Sequence, residues 1–490
     1  MEQLQTPKET GKLQKIFELE NPSDTIKELR SHRYTPQPDV AAAEAALNIE
    51  NHDVNNKAKR KDKKVVVTDE DANGNKVINT GGKKYRTEKV ARVALAIQKL
   101  IIGRAAAFLF GNAPRYNSTQ TNDNEKAVAK ALDRILVDAK TIPLNQKIAR
   151  LVFGYKECAE MWYPVESAHA RYGFKSQFKM RVTLFSPALG DTLYPYFDEF
   201  GDMIAFSREF SKTDEKGVVH TFFETFTDAW HYLWALTGTG YEMVEGFPKP
   251  NPINKIPVIY GYQDHFETED VDSLISRLET LLSNFADTND YHASPKIFTT
   301  GVIKGWSKKG ESGAVIEGEK DATMQYVSWQ NAPESVKLEI ETLLKMIYTI
   351  TQTPDISFDA VKGLNVSGIA LKLLFMDAHL KVNVKREIFD DYLTRRANIL
   401  LRYIAQMNTS LAAAAESLIV EPEIIPYIIT SEKDDLDYWM AANGGKAVIS
   451  QEESIEKAGV SKNPKQTMEM ISAETAKENT FAISEPTFEE

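Results

Sequence analysis

The stretch that decides the reading of this chain is Thr353-Pro-Asp-Ile-Ser-Phe-Asp-Ala-Val-Lys-Gly-Leu-Asn-Val-Ser-Gly368, which runs on into Ile369-Ala-Leu-Lys372. A proline and two glycines interrupt it while apolar residues keep recurring, so it cannot form one regular element. Beyond Gly368 the pattern changes. Leu371, Leu374, Phe375, Ala378, Val382, Ile388, Phe389, Leu393, Ile399 and Leu400 recur at helical spacing, and this predicts one helix over 369–407. About 40 residues rising 1.5 Å each would span roughly 60 Å, far more than an average helix. A helix of that length needs a large neighbour.

Upstream lie two amphipathic segments. In 269–288 the residues Val271, Leu274, Ile275, Leu278, Leu281, Leu282 and Phe285 share a face; in 333–351 Val336, Ile340, Leu343, Leu344 and Ile347 do so, with Pro333 at an early helical position. Charged residues (Asp272, Arg277, Glu279; Lys337, Glu339, Glu341, Lys345) fill the opposite faces, which predicts that those faces meet water. Between the helices, 295–329 is Gly-rich and strand-like with a tip at 307–313, and reads as a small inserted β module.

The rest of the chain is α+β. Residues 87–110 read as one apolar helix stopped by Gly111-Asn-Ala-Pro114, and 124–139 and 143–153 as two more. From 180 to 247 the period falls to two, as in an antiparallel meander, and Gly238-Thr-Gly240 is a hairpin tip because no helix or lysine follows to make it a phosphate loop. In the first 85 residues we expect a helix at 40–49, a basic segment at 56–64, and a hairpin pairing Val65-Val-Val67 with Lys76-Val-Ile78 around Asn73-Gly74. Past Ser410 acids outnumber bases. There we expect a strand at 427–431, a helix at 436–443, a capping box at Ser450-Gln-Glu-Glu453, and a mobile acidic tail.

Composition bounds the function. The 490 residues carry a net charge of −11, which argues against a protein that grips nucleic acid with a basic surface. A single cysteine, Cys158, cannot form an internal disulfide, so a reducing compartment is the default. No apolar run reaches the eighteen or so residues a membrane span needs, and Met1-Glu-Gln-Leu-Gln-Thr-Pro-Lys8 has no signal-peptide core. Synthesis and assembly in a cytoplasm follow. The histidines show no metal-ligand spacing, and no Gly-rich Lys-Ser/Thr loop or Gly-x-Ser-x-Gly is present, so we expect no enzyme, cofactor or metal.

Thr353-Pro-Asp355, then Asn365-Val-Ser-Gly-Ile-Ala-Leu-Lys372 and a long lysine-dotted helix, resembles the tunnel loop and wing helix of the portal proteins of tailed bacteriophages, in their siphophage-type branch. Leu109-Phe-Gly-Asn-Ala-Pro114 and Ile449-Ser-Gln-Glu-Glu-Ser-Ile455 are similar to further motifs of that family. The resemblance implies an α+β portal fold with wing, stem, clip and a small helical crown around one very long helix. It divides the chain into an N-terminal arm and hairpin (1–85), wing (86–265), first stem helix (266–290), clip (291–331), second stem helix (332–352), tunnel loop (353–366), long wing helix and return (367–448), and crown with acidic tail (449–490). It implies a homo-oligomeric ring, of twelve copies as is usual, at one capsid vertex of the virion. Double-stranded DNA would enter and leave through it. Its partners would be the terminase large subunit, the major capsid and scaffolding proteins, and a head-completion adaptor, with no membrane.

Single residues then acquire expected roles. Lys362, with Asn365 and Ser367 beside it, would meet passing phosphates, and Gly363 would let the loop change shape; a solvated lysine in a plain turn is the alternative. Trp306 and Trp329 bracket the clip and Lys308 and Lys309 lie at its tip, as partner contacts or, for the tryptophans, as packing within the module. His265 reads as a surface residue. Asp390 and Asp391 carry the competing idea of a metal-dependent nucleic-acid enzyme, against a solvated helix turn. Another capsid or head–tail connector protein is the other alternative.

Overall fold

Alternating aromatic and β-branched residues build the centre of the protein. The computed structural model describes residues 11–66, 69–70, 76–77, 85–292, 296–300, 303–305, 317–318, 323–327, 333–355, 375–427, 432–444, 448–459, 461 and 464–482. The chain divides into two compact units, 1–353 with 380–426 and 354–379 with 427–490.

The first unit opens with helices α1 (Gly11–Phe17), α2 (Pro22–Ser31) and α3 (Val40–Leu47), the latter two capped by the side chains of Asn21 and Asp39. Strands β1 (Lys63–Val66), β2 (Asp69–Glu70), β3 (Lys76–Val77) and β4 (Tyr85–Glu88) follow. The hairpin differs from the expected one: β2 pairs with β3, while Val65 pairs with Arg86 of β4. Next come α4 (Ile97–Phe110), β5 (Arg115–Ser118), α5 (Asp123–Asp138) and α6 (Thr141–Tyr155).

Two antiparallel sheets form the centre. One contains β6 (Glu157–His169) and β7 (Ser176–Phe185). The other contains β8 (Thr192–Phe197), β9 (Met203–Thr213), β10 (Val219–Phe226), β11 (Trp230–Thr237), β12 (Gly240–Met243) and β13 (Lys249–Pro250), whereas β14 (Val258–Tyr262) returns to pair with β6. The meander is as expected, with Gly240 ending the β11–β12 hairpin at a positive φ. The long strand β6 was not expected, because Pro164 and the mixed pattern Glu157-Cys-Ala-Glu-Met-Trp162 disguise its period. Ala159, Phe185, Phe206, Phe226 and Val258 fill the space between the sheets. On the far face of the larger sheet, Leu13, Ile16, Ile26 and Leu29 of α1 and α2 pack on Tyr196, Phe223, Tyr232 and Trp234. The N-terminal segment is thus part of the core.

After β14 come α7 (Asp272–His292), strands β15 (Lys296–Thr300), β16 (Ile303–Gly305), β17 (Glu317–Gly318) and β18 (Thr323–Val327), and α8 (Pro333–Ile350). β15 pairs with β18 and β16 with β17, both antiparallel, so the expected β module lies between two helices. Helix α9 (Met376–Met407) has 32 residues; residues 369–374 of the expected longer helix lie outside the described residues. It is followed by α10 (Ala412–Ser417) and β19 (Val420–Glu423), which pairs with β5.

Helix α9 crosses the outer face of β14–β6–β7, where Cys158, Glu160 and Trp162 point. Arg396 lies there with no exposed surface. Its Nε and Nη2 donate to the two oxygens of Glu160 at 2.6 and 2.8 Å, and Nη1 donates to Asn145 Oδ1 of α6 at 2.6 Å. Trp162 Nε1 donates to the same carboxylate, and Tyr403 of α9 donates to the Trp162 carbonyl. Burial works against the Arg396 charge, but Glu160 outweighs it and keeps the guanidinium protonated.

In the second unit, α11 (Glu432–Asn443) and α12 (Gln451–Ala458) are joined by Ser454 Oγ donating to the Trp439 carbonyl at 2.8 Å. The capping box at Ser450 and Glu453 is present. A further helix, α13 (Pro464–Ala482), occupies what was expected to be a mobile tail. Met468, Met470 and Ile471 are the apolar residues that expectation underweighted. The strand expected at 427–431 falls largely outside the described residues; the strand of this region is β19.

Replacing Arg396 by Met leaves Glu160 charged and buried, and should cost about 3–5 kcal/mol of unfolding free energy in urea titration. Replacing both partners by apolar residues should recover a large part of that loss.

Candidate functional site

The paired helices α7 and α8 and the points where they join the sheets form the described part of the region singled out from sequence. Val271, Ile275 and Leu278 of α7 pack with Leu343 and Ile347 of α8 and with Ile97 and Ile101 of α4. At the surface Arg277 bridges to Glu339 at 2.7 Å.

One face of α7 is not bare. Residues 89–96, expected to be helical, run extended along it. The N–H groups of Ala91, Val93 and Leu95 donate to Asp287 Oδ1, Ser283 Oγ and Glu279 Oε1 at 2.8, 2.9 and 2.7 Å. Two extended residues advance roughly 6.6 Å and four helical residues about 6 Å, so alternate amides meet every fourth side chain. The β-branched Val90 and Val93 suit this conformation, and the helix begins only at Ile97. Glu279 is consequently buried, not water-facing as expected. Its carboxylate also meets His52 Nδ1 at 2.6 Å. Arg60, from the basic segment, donates to Asp287 and Asn284 of α7 and to the Ala91 carbonyl, tying this strap of residues 89–96 to the helix.

At the other end of the pair, α8 closes with the Thr353 N–H donating to the Tyr348 carbonyl and Gln352 in the left-handed region at φ 49°. Beside this turn Lys381 Nζ of α9 donates to the Thr351 carbonyl at 2.8 Å and pairs with Glu267 at 2.5 Å. Lys385 Nζ pairs with the same carboxylate at 2.6 Å and reaches Gln263 Oε1 at 3.1 Å. Burial pushes the Glu267 carboxyl up, but the two ammonium groups outweigh it and hold it below the usual range. Burial pulls Lys381 down, and Glu267 offsets this only in part.

The residues expected to act on DNA or partners, Lys362, Gly363, Asn365 and Ser367, and Trp306, Lys308, Lys309 and Trp329, all lie outside the described residues. His265 is exposed, in line with its surface reading. Asp390 pairs with Arg386 at 3.1 Å, and Asp391 is exposed on the wall of a cleft of about 860 Å³ beside β14. Among the described residues no group of three His, Cys, Asp or Glu could hold a metal ion. Cys158 is buried, and that burial pushes its thiol well above the usual range.

Residues 48–480 match the family described as Phage portal protein, SPP1 Gp6-like. The chain belongs to the phage portal protein family. This portal-family chain is also similar to solved structures of gene transfer agent particles, described as the neck of an empty particle computed with C6 symmetry (10% identity, 74% of this chain and 89% of that chain, TM-score 0.39), the neck of a native particle computed with C12 symmetry (11%, 74% and 88%, 0.37) and the virion of a native particle (10%, 74% and 88%, 0.35). No curated protein is similar enough to count as a match. The portal family is a structural one.

Glu267, Ser283 and Asp287 were not singled out from sequence, although the spacing Glu279, Ser283, Asp287 was visible as polar positions four apart on one side of an apolar helix. Replacing Ser283 by Ala leaves the Val93 amide without its acceptor and should cost about 1–3 kcal/mol in urea unfolding. Because the folded-state pKa of Glu267 is depressed, its stabilisation is present above the unfolded carboxyl value of about 4.3 and fades as pH falls through the folded value. The Glu267→Gln variant should therefore lose stability at neutral pH and show a shallower acid slope below about pH 4.3 when the two proteins are titrated in parallel.

Proposed function

We propose that this chain is one subunit of a portal ring, of twelve copies, that stands at one vertex of a capsid and conducts double-stranded DNA in packaging and ejection. The observation that carries this reading is the family match over most of the chain, joined to the order it requires: helix, small β module, helix, a connection, and a long helix. In this reading α7 and α8 are the stem, β15 to β18 belong to the clip, and 353–366 is the tunnel loop.

The charge supports a conduit. Each phosphate neutralised by a fixed cation adds affinity, so a channel that lets DNA slide must offer few such contacts. A chain of net charge −11 meets that need. Arg60, from the basic segment, pairs with Asp287 of α7. Helix α8 leaves Leu338, Met346 and Ile350 exposed along its length, a face that a neighbouring copy would cover in a ring closed by head-to-tail contacts. Lys362, with Gly363, Asn365 and Ser367, would face the DNA; Trp306, Lys308, Lys309 and Trp329 would meet the terminase large subunit and later the head-completion adaptor. Capsid and scaffolding proteins would surround the ring.

Electron microscopy of the purified protein, or of particles assembled with scaffold and capsid subunits, should show rings with a hole of about 20 Å or more, the width that admits a duplex without a tight groove fit. A monomer under every one of these conditions would overturn the reading. Lys362→Ala should alter the amount of DNA packaged while rings still form.

A further inference from the structure

We propose that Glu267, Lys381 and Lys385 form a charge clamp that fastens the end of α8 to α9, making Lys381 a positioning residue for the chain that connects the two helices. The clamp lies where the chain leaves α8 and where it has re-entered α9. Lys381 spans the gap directly, with Nζ on the Thr351 carbonyl of the α8 terminus and on Glu267. Glu267 is itself fixed, because its N–H donates to the Phe153 carbonyl at the end of α6. Lys385, one helical turn further on, takes the second carboxylate oxygen. It lies over the Phe153 ring at 5.0 Å.

The side chains of Glu267 and Lys381 are 5% and 9% exposed. Two ammonium groups share one carboxylate, so an excess positive charge is buried and needs further acceptors. The Thr351 carbonyl and Gln263 Oε1 supply them. A carbonyl at a helix C-terminus is among those left without an intrahelical partner and carries partial negative charge, so it suits an ammonium group. Loss of Lys381 therefore breaks the ion pair and leaves the α8 terminus without its cation in one step.

The consequence is mechanical. The distance between residues 351 and 381 is set by a side chain and not by the twenty-nine residues of chain between them. α8 cannot shift along α9 without breaking the clamp. The assignment of a channel-facing role to the connection rests on the portal reading; the clamp itself does not.

Hydrogen exchange of the full-length protein tests it. In Lys381→Met, amides at 347–353 and at 377–386 should both exchange faster, by about tenfold or more, while β6 is unchanged. Lys381→Arg should restore most of the protection, since it keeps the charge and can reach both acceptors. Glu267→Gln should have a similar effect, and the Glu267→Gln/Lys381→Met pair should fall well short of the sum of the two. Acceleration at 377–386 alone, or full additivity of the pair, would overturn the clamp. A uniform rise that includes β6 would also overturn it, by showing general destabilisation. Imaging the same variants separates the two ideas: coupled exchange without rings removes the portal reading and keeps the clamp, whereas rings with uncoupled exchange do the reverse.

Discussion

The seating of α9 on the sheet in the larger unit depends on the fully buried charge pair Arg396–Glu160. Taking a guanidinium and a carboxylate out of water is expensive, and the cost is offset only when each finds a full set of partners. Arg396 and Glu160 find theirs in three elements at once: α9 supplies the cation, β6 the anion and the Trp162 indole, and α6 the Asn145 amide. Apolar contacts would let a helix slide or rotate over a sheet at modest cost. A bidentate pair with an additional amide acceptor allows one position. It thereby fixes how α9 is seated on the sheet, and with it the setting of Lys381 and Lys385 about four and three turns earlier.

The same economy recurs where the N-terminal segment meets α7. A lone extended chain has amides that must be satisfied, and a helix has side chains at a rise close to that of alternate extended residues. The strap exploits that match, so a strand is held by a helix with no sheet between them. His52 and Arg60 bond the same α7 carboxylates, and Arg60 also donates to the Ala91 carbonyl of the strap. The α7–α8 pair is therefore braced by the beginning of the chain as well as by its own apolar seam.

Patterned segments were legible from the sequence. The meander, α5, α6, α7, α8 and α9 carry clear periods, and the capping box and the Gly238-Thr-Gly240 tip have local causes. What escaped was decided at a distance. Residues 89–96 are apolar enough for a helix, and only acceptors on α7 make them extended. Glu279 looked like a surface charge because its partners lie more than a hundred and eighty positions away, at Leu95, and further still at His52. Glu267 gave no signal, since nothing nearby says that two lysines of a later helix will converge on it. The family was legible in the irregular stretch after Thr353, whose residues carry the resemblance that the family match over 48–480 bears out.

The strap also imposes an arithmetic on the chain. Its amides are read in alternation, so adding or removing one residue between Ala91 and Leu95 would present the wrong set of N–H groups to Glu279, Ser283 and Asp287. Two residues would restore the alternation but move the grip by one turn of α7. Length variation among relatives between those three amides should therefore come in even steps.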